Sequence, residues 1–167
     1  VVAGQTCVAA YAAAGAANLA ASYINLANPG TNNAAPGVAP TFNAADGWTF
    51  NGSSQYLTTG LTITPTWSII VRFSSYTGTG YLFGVFTGAT AGFALSPART
   101  GTDVRYYNNG LINVSPNLAN GVLAMAGTTG YRNGTSEATT PGGGTISHTL
   151  YIGAVNDAGT LFANAAT

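Results

Sequence analysis

Hydrophobic and polar residues alternate with a period of two through much of the chain after residue 47. Residues 66–75 show the pattern most clearly, with four large apolar side chains on one face: Trp67, Ile69, Val71 and Phe73. Successive strand residues point to opposite sides of a sheet, so we predict a strand with one face in the core. Ile70 falls on the other, polar face, which leaves open whether something covers it.

Similar short segments recur between turns rich in glycine, asparagine and proline. We predict further strands at residues 81–86, 103–107, 121–127 and 146–153. In the first of these, three large residues share a face: Tyr81, Phe83 and Val85. Three segments carry the residues of tight turns: Asn51-Gly52-Ser53-Ser54, Asn108-Asn109-Gly110 and Asn133-Gly134. The first turn predicts a hairpin between strands at residues 47–50 and 56–57.

Many short strands without a βαβ alternation predict an all-β, two-sheet antiparallel sandwich. We treat residues 1–167 as a single domain, in which residues 1–40 form an alanine-rich and loop-rich lead-in. Residues 7–23 have the propensity of a helix, but Gly15 and the lack of a charged face leave this segment ambiguous. Residues 25–40 contain three prolines and are predicted to be a loop.

Charged residues make up only 5% of the 167 residues, and lysine is absent. The chain has four arginines and four acids: Arg72, Arg99, Arg105, Arg132, Asp46, Asp103, Glu137 and Asp157. Binding to nucleic acid or to an anionic membrane needs clustered cations, so we predict neither partner. The formal net charge is zero. Without self-repulsion, self-association or assembly with other subunits is expected.

Cys7 is the only cysteine, so no internal disulfide can form. A lone cysteine is most often a small buried hydrophobe, and pairing with a second chain is the alternative.

No stretch is long and apolar enough to span a membrane, and we expect no signal peptide at the N-terminus. Three asparagines fit the glycosylation sequon, as chance predicts in a chain this rich in Asn, Ser and Thr: Asn51, Asn113 and Asn133.

Catalytic patterns are missing from the sequence. Glycoside hydrolysis usually needs two carboxylates, and the single glutamate, Glu137, lies in a turn-rich segment that predicts a solvated loop acid. His148 is the only histidine, and no Gly-x-Ser-x-Gly motif accompanies it, so we expect a structural, partly buried histidine. Residues 142–144 lack the lysine of a phosphate-binding loop. We therefore predict no enzyme and no cofactor.

Tyrosines beside amides are suited to sugar recognition, because an aromatic face meets C–H groups while amides bond hydroxyls. The ligand-binding candidates are six residues in two sets: Tyr106, Tyr107, Asn108 and Asn109, and then Tyr76 with Tyr81, which flank a Gly-Thr-Gly loop. The alternative is that these tyrosines edge and cap the core of the sandwich.

Several of these segments resemble laminin-G-like (concanavalin A-like) jelly rolls. The similar segments lie within residues 45–162: Gly47–Gly60, Trp67–Phe73, Val122–Gly127, Tyr131–Gly134 and Leu150–Gly153. The resemblance implies a two-sheet jelly roll with Greek-key connections. The family's closing strand has no counterpart here, so the N-terminal stretch or a neighbouring chain would supply it, or the sequence is truncated.

Members of that family that bind calcium use clustered acids. Here Asp46, Asp103 and Asp157 lie far apart in the sequence, and calcium needs six to eight oxygen ligands. We predict no metal site, with Asp103 and Asp157 as the calcium candidates to check.

These observations favour a non-catalytic structural or adhesion module on the exterior of a virion or a cell-surface assembly. Such a module would be a decoration, fibre or filament subunit, located outside the cell or on the virion surface. Two alternatives remain open at this point: a carbohydrate-binding module and a degenerate glycan hydrolase.

Overall fold

The computed structural model describes residues 6–88 and 91–162, and this part of the chain is built mainly from short strands. It contains one helix, α1 (Leu19–Ser22), and fifteen strands. The first eight strands are β1 (Ala35–Val38), β2 (Thr41–Asn43), β3 (Gly47–Thr49), β4 (Tyr56–Thr58), β5 (Ser68–Phe73), β6 (Phe83–Thr87), β7 (Ala91–Ser96) and β8 (Val104–Asn108). The others are β9 (Leu111–Val114), β10 (Gly121–Ala126), β11 (Thr129–Arg132), β12 (Thr135–Thr139), β13 (Tyr151–Ile152), β14 (Val155–Asp157) and β15 (Thr160–Phe162).

The strands form two main sheets and one small one. The larger sheet has the order β1-β4-β13-β6-β7-β8-β9, with β14 and β15 attached beside β6. The smaller sheet has the order β12-β11-β10-β5, and β2 pairs with β3 separately. Pairing is antiparallel except where β14 runs parallel to β6. The all-β prediction with antiparallel sheets is confirmed.

One hydrophobic core joins the two main sheets. Phe83 and Phe93 of the larger sheet stack with ring centroids 6.2 Å apart. They belong to the same buried cluster as Leu123 and Met125 of the smaller sheet. Alternation places these residues on the facing sides of the sheets. This arrangement is consistent with a β-sandwich.

The strand predicted at residues 66–75 forms β5, and its apolar face packs against the core. Ile70 on the opposite face is 74% exposed, so nothing in the described chain covers it. The turn prediction at Asn108-Asn109-Gly110 is also confirmed, since β8 and β9 pair as a hairpin around it. Asn109 takes a positive φ of 52°, a conformation that asparagine tolerates better than most residues.

The hairpin predicted around residues 51–54 does not form. β3 pairs with β2, whereas β4 pairs with β1 and β13. The Oδ1 atom of Asn51 accepts hydrogen bonds from the backbone N–H groups of Ser53, Ser54 and Gln55. This side-chain turn leads the chain away from β3, because it satisfies locally the donors that a hairpin would pair across strands.

Three other predictions about elements need correction. The segment 25–40 is not all loop, since β1 pairs with β4 at the edge of the larger sheet. Pro36 has no backbone N–H to donate, and an edge strand tolerates this because one of its sides needs no donors. The strand predicted at residues 146–153 is reduced to β13. Glu137 does not lie in a solvated loop, because residues 135–139 form β12 and pair with β11.

The N-terminal region, defined here as residues 6–54, is held by a buried amide. Asn25 is fully buried and makes all four hydrogen bonds that its side chain allows. Its Oδ1 accepts from the N–H groups of Ala10 and Ala27, both at 3.0 Å. Its Nδ2 donates to the carbonyls of Val8 at 3.0 Å and Thr31 at 2.9 Å. One side chain thus connects four points of this region.

Aromatic rings complete the N-terminal region. Trp48 of β3 lies between Tyr11 and Tyr23, with ring centroids 6.3 and 6.1 Å away. Its Nε1 donates to Ser22 Oγ at 2.7 Å. The ambiguous segment 7–23 is helical only at Leu19–Ser22, where Asn18 caps the first turn. Cys7, expected to be buried, is exposed.

Candidate functional site

The structure separates the six ligand-binding candidates by burial. Four of them are buried: Tyr76, Tyr81, Tyr106 and Asn108. Tyr107 and Asn109 are partly exposed. A buried ring offers no face to a sugar arriving from solvent, so Tyr106 cannot stack on one in this conformation. The four neighbours at 106–109 also do not act as one set, because strand alternation sends them to opposite sides of the sheet.

Tyr106 belongs to a polar cluster between the two sheets. Its hydroxyl donates to Glu137 Oε1 at 2.8 Å. Arg132 Nε lies 3.0 Å from Glu137 Oε1 and 2.9 Å from Oε2, and its Nη2 donates to the Val114 carbonyl at 3.1 Å. Burial, followed by the hydrogen bond to Glu137 and its charge, raises the pKa of Tyr106. The cluster links β8 and β9 to β11 and β12.

A glycine makes room for this cluster. A Cβ at Gly130 of β11 would lie 2.5 Å from the ring of Tyr106. The tyrosine ring therefore rests directly on the backbone of the opposite sheet. This close approach brings the Tyr106 hydroxyl within reach of Glu137.

Glu137 also lines a shallow cavity of about 310 Å³ with Thr129, Ser136, Ala138 and Thr139. Glu137 is the only acid among these lining residues, and hydrolysis by paired carboxylates needs a second one. His148 does not line this cavity. The geometry makes Glu137 an ion-pair partner of Arg132 rather than half of a carboxylate pair.

The side chain of Asn108 connects the end of β8 to the segments that flank β5 and β10 of the smaller sheet. Its Nδ2 donates to the carbonyls of Pro65 and Gly127, each at 2.8 Å. Asn109, the next residue, donates from Nδ2 to the Gly142 carbonyl at 2.9 Å and so tethers the glycine-rich loop. Both amide nitrogens are thus used within the fold, whereas the buried Asn108 Oδ1 has no hydrogen-bond partner among the described residues.

A second aromatic cluster lies on the outer face of the larger sheet. Phe86 of β6 contacts Tyr107 of β8 with centroids 4.8 Å apart, and Tyr81 with centroids 6.1 Å apart. Tyr81 packs with Ala94 and Val155, away from the main core. The expectation that Tyr81 shares a face with Phe83 and Val85 was wrong, because β6 begins only at residue 83.

Two glycines of the larger sheet make room for the side chains of this cluster. A Cβ at Gly92 of β7 would collide with the ring of Phe86. A Cβ at Gly84 would lie 2.5 Å from Val155 Cγ2. The ring of Phe86 therefore extends from β6 over Gly92 of β7 and contacts the ring of Tyr107 on β8. Strand alternation alone could have indicated that Phe86 and Tyr107 share this outer face.

The outer-face cleft is the space beside these rings. Its volume is about 450 Å³, and it is lined by Tyr81, Phe86, Gly88, Arg99, Arg105, Tyr107, Asp157 and Phe162. Arg99 lies over the Tyr81 ring, with Cζ 5.2 Å from the centroid, and its Nη1 donates to the Thr79 carbonyl at 3.0 Å. Arg105 Nε donates to Asn113 Oδ1 at 2.9 Å. Sequence analysis did not single out either arginine, because only the folded chain brings them together.

The calcium candidates are not clustered. Asp103 accepts hydrogen bonds from the Ser115 hydroxyl and from Thr100 Oγ1 at 2.7 Å, and these bonds, together with the charge of Arg105, lower its pKa. Asp157 lines the outer-face cleft. In residues 6–88 and 91–162, no group of three or more His, Cys, Asp or Glu side chains is arranged to hold a metal ion.

The other noteworthy surface is the free edge of β5. Its register with β10 is regular from Ser68 to Phe73, and no strand of the described chain pairs with its other side. The edge strand β1, in contrast, contains Pro36 and an irregular register before Val38. Proline and bulges discourage further pairing, and β5 has neither.

No family model, curated protein or solved structure matches this chain. The resemblance to laminin-G-like jelly rolls therefore stays a prediction. Among the described residues, no helix combines the length and apolar character that spanning a bilayer requires.

Proposed function

We propose that this chain is a non-catalytic structural or adhesion module with a jelly-roll fold. It would serve on the exterior of a virion or a cell-surface assembly, as a decoration, fibre or filament subunit. The low charge supports this proposal, since the centres of protein interfaces are depleted of charged residues. Glu137 also supports it, because the one glutamate is held by Arg132 and Tyr106.

The observation that carries the proposal is the open edge of β5. The six residues of β5 are in regular register with β10, and the backbone groups that point away from β10 have no partner strand in the described chain. Ile70, in the middle of this edge, is 74% exposed. Natural proteins usually protect such edges, because they template pairing with another chain. A partner strand added here would continue the smaller sheet, as in β-augmentation.

A second copy of this chain fits the β5 edge. In an antiparallel pair centred on Ile70, Arg72 of each copy lies opposite Ser68 of the other, so no like charges meet. The zero net charge adds no long-range repulsion between copies. We therefore propose that self-association occurs through β5.

Light scattering after size exclusion tests this proposal, with a reductant present because Cys7 is exposed. We expect the wild-type mass to rise with concentration and Ile70→Lys to stay monomeric. Leu26→Lys is the matched control, since Leu26 is 58% exposed and lies outside every strand. A wild type that is monomeric throughout, or equal effects of the two lysines, would contradict assembly through β5.

A carbohydrate-binding module is the second candidate function, and the outer-face cleft favours it. Two of the predicted ligand-binding residues line the cleft: Tyr107, whose ring is partly exposed, and the buried Tyr81, which lies beneath Arg99. A glycan array with Tyr107→Ala tests this candidate, because Tyr107 is partly exposed whereas Tyr106 belongs to the core. Loss of glycan binding with unchanged assembly would favour the second candidate, and an array without any bound glycan would exclude it.

A further inference from the structure

We propose that the outer-face cleft binds a sugar that carries one carboxylate, such as a uronic acid. This inference rests on the second candidate function, and it adds the chemical class of the ligand. It follows from three features of the cleft: its arginines, its aromatic rings and its single acid.

The cleft concentrates the few positive charges of the chain. Two of the four arginines line it, Arg99 and Arg105. Arg132 is paired with Glu137, and Arg72 lies on β5. The lining of the cleft thus has two guanidinium groups against one carboxylate, that of Asp157, and carries an excess of one positive charge. Guanidinium groups bind carboxylates through charge-assisted hydrogen bonds.

Both arginines are oriented by neighbours but keep donors free. Arg105 uses Nε for Asn113, and its two terminal nitrogens have no hydrogen-bond partner in the described chain. Arg99 uses Nη1 for Thr79 while its guanidinium lies over Tyr81. Neither forms a salt bridge within the described residues. Asp103 lies close enough to Arg105 for the arginine's charge to lower the pKa of that carboxyl, and Asp157 lines the same cleft. A carboxylate of the ligand would therefore meet guanidinium donors that are held in place and only partly neutralised, which lowers the entropy cost of binding.

The rings supply the second part of the site. Phe86 and Tyr107 are partly exposed beside the arginines, and Phe162 is 43% exposed at the same cleft. Aromatic faces pack against the C–H groups of a pyranose ring. The volume of about 450 Å³ falls within the range of roughly 300–1,000 Å³ that small-molecule sites occupy.

Asp157 further restricts the chemical class of ligand that fits the cleft. Its carboxylate lines the same cleft and accepts hydrogen bonds from hydroxyls, which a sugar provides and a simple aromatic acid lacks. It also repels a second negative charge. Two arginines without a longer basic track do not favour a polyanion, so the site suits one acidic sugar residue.

Ligand-observed NMR titration tests the inference with three probes: glucuronate, glucose and benzoate. We expect glucuronate to bind at least about tenfold more tightly than either of the others. Arg105→Gln should reduce glucuronate affinity by about tenfold and leave glucose unchanged. Arg72→Gln, measured at a protein concentration where the chain is monomeric, is the matched control, because it removes a guanidinium outside the cleft and should leave glucuronate affinity unchanged.

Each failure has a distinct meaning. Equal binding of glucuronate and glucose would overturn the acidic class and leave the second candidate function standing. Equal binding of benzoate would overturn a sugar as the ligand. A glucuronate affinity that falls equally in Arg105→Gln and Arg72→Gln would overturn the assignment to this cleft. If no probe binds and the glycan array is also silent, both the inference and the second candidate function fail.

Discussion

The N-terminal region and the pair of main sheets are stabilised by different kinds of buried contact. Between the sheets, stacked rings such as Phe83 and Phe93 fill a shared apolar core. In residues 6–54, the largest fully buried side chain is an amide, Asn25, surrounded by backbone groups that it satisfies. Apolar contacts are non-directional and tolerate many partners, whereas four hydrogen bonds demand one geometry. The core between the sheets therefore depends mainly on filled volume, whereas the N-terminal region adds to its aromatic contacts a set of hydrogen bonds that requires one geometry.

The strongest test of this comparison is Phe93→Ala. Removing a fully buried ring should lower the free energy of unfolding by about 3–5 kcal/mol, because it leaves a cavity in the shared core. Urea denaturation followed by far-ultraviolet circular dichroism measures the loss. Leu26→Ala, at a position 58% exposed and outside every strand, should cost less than about 0.5 kcal/mol. Equal losses for the two variants would show that this core does not hold the sheets together.

Asn25→Ala should produce the next largest effect. Four partly buried backbone groups lose their partner, and we expect a loss of about 2–3 kcal/mol. Hydrogen exchange should accelerate in residues 6–54 while β10 stays protected. Asn28→Ala is the control, because the Asn28 side chain is exposed. Uniform acceleration across both regions would contradict their separate means of stabilisation.

Tyr106→Phe should have a moderate effect, because it removes one hydroxyl from the polar cluster without changing the ring. The loss of the bond to Glu137 should cost about 1–2 kcal/mol in chemical denaturation. Tyr131→Phe on β11 provides the matched change, since the Tyr131 hydroxyl has no hydrogen-bond partner in the described chain. If both variants lose the same stability, the bond to Glu137 contributes nothing.

The smallest effect should appear only at alkaline pH. Burial raises the pKa of Tyr76 from 10.0 to about 12, and its hydroxyl donates to the Gly80 carbonyl at 2.6 Å. A raised pKa in the folded state means that stability is complete below pH 10 and declines as pH rises toward 12. Other tyrosines also have a raised pKa, Tyr106 among them. Absorbance at the tyrosinate band should therefore show a late titration whose amplitude Tyr76→Phe lowers by one tyrosine. A Tyr76 that titrates with the exposed tyrosines would contradict its burial in the folded protein.

Alternation identified β5 and the β8–β9 hairpin from the sequence, because both depend on a local period and a local turn. The failed hairpin at residues 51–54 shows the limit of such reasoning. Asn51 was interpreted as a tight turn between partners, yet its side chain closes a local loop and the two strands find other neighbours. Strand pairing depends on contacts distant in sequence, which turn residues alone do not specify.

The outer-face cleft shows the same limit for the candidate site. Tyr81 and Tyr107 were chosen from the sequence as parts of two separate sets. Their meeting depends on Gly92, which lets Phe86 cross β7 toward Tyr107. The sequence of residues 81–107 does not predict that Gly92 of β7 pairs with Phe86 of β6 and leaves room for its ring on the outer face of the sheet.

The sequence by itself determined the all-β class and the nearly uncharged surface, because period-two patterning and composition are properties of the chain. Only the tertiary structure decided that Glu137 is an ion-pair partner, that Asn25 is a buried centre of hydrogen bonds and that two arginines share an aromatic cleft. The physical reason is that burial and electrostatic surroundings arise from residues far apart in sequence, which come together only when the sheets pack.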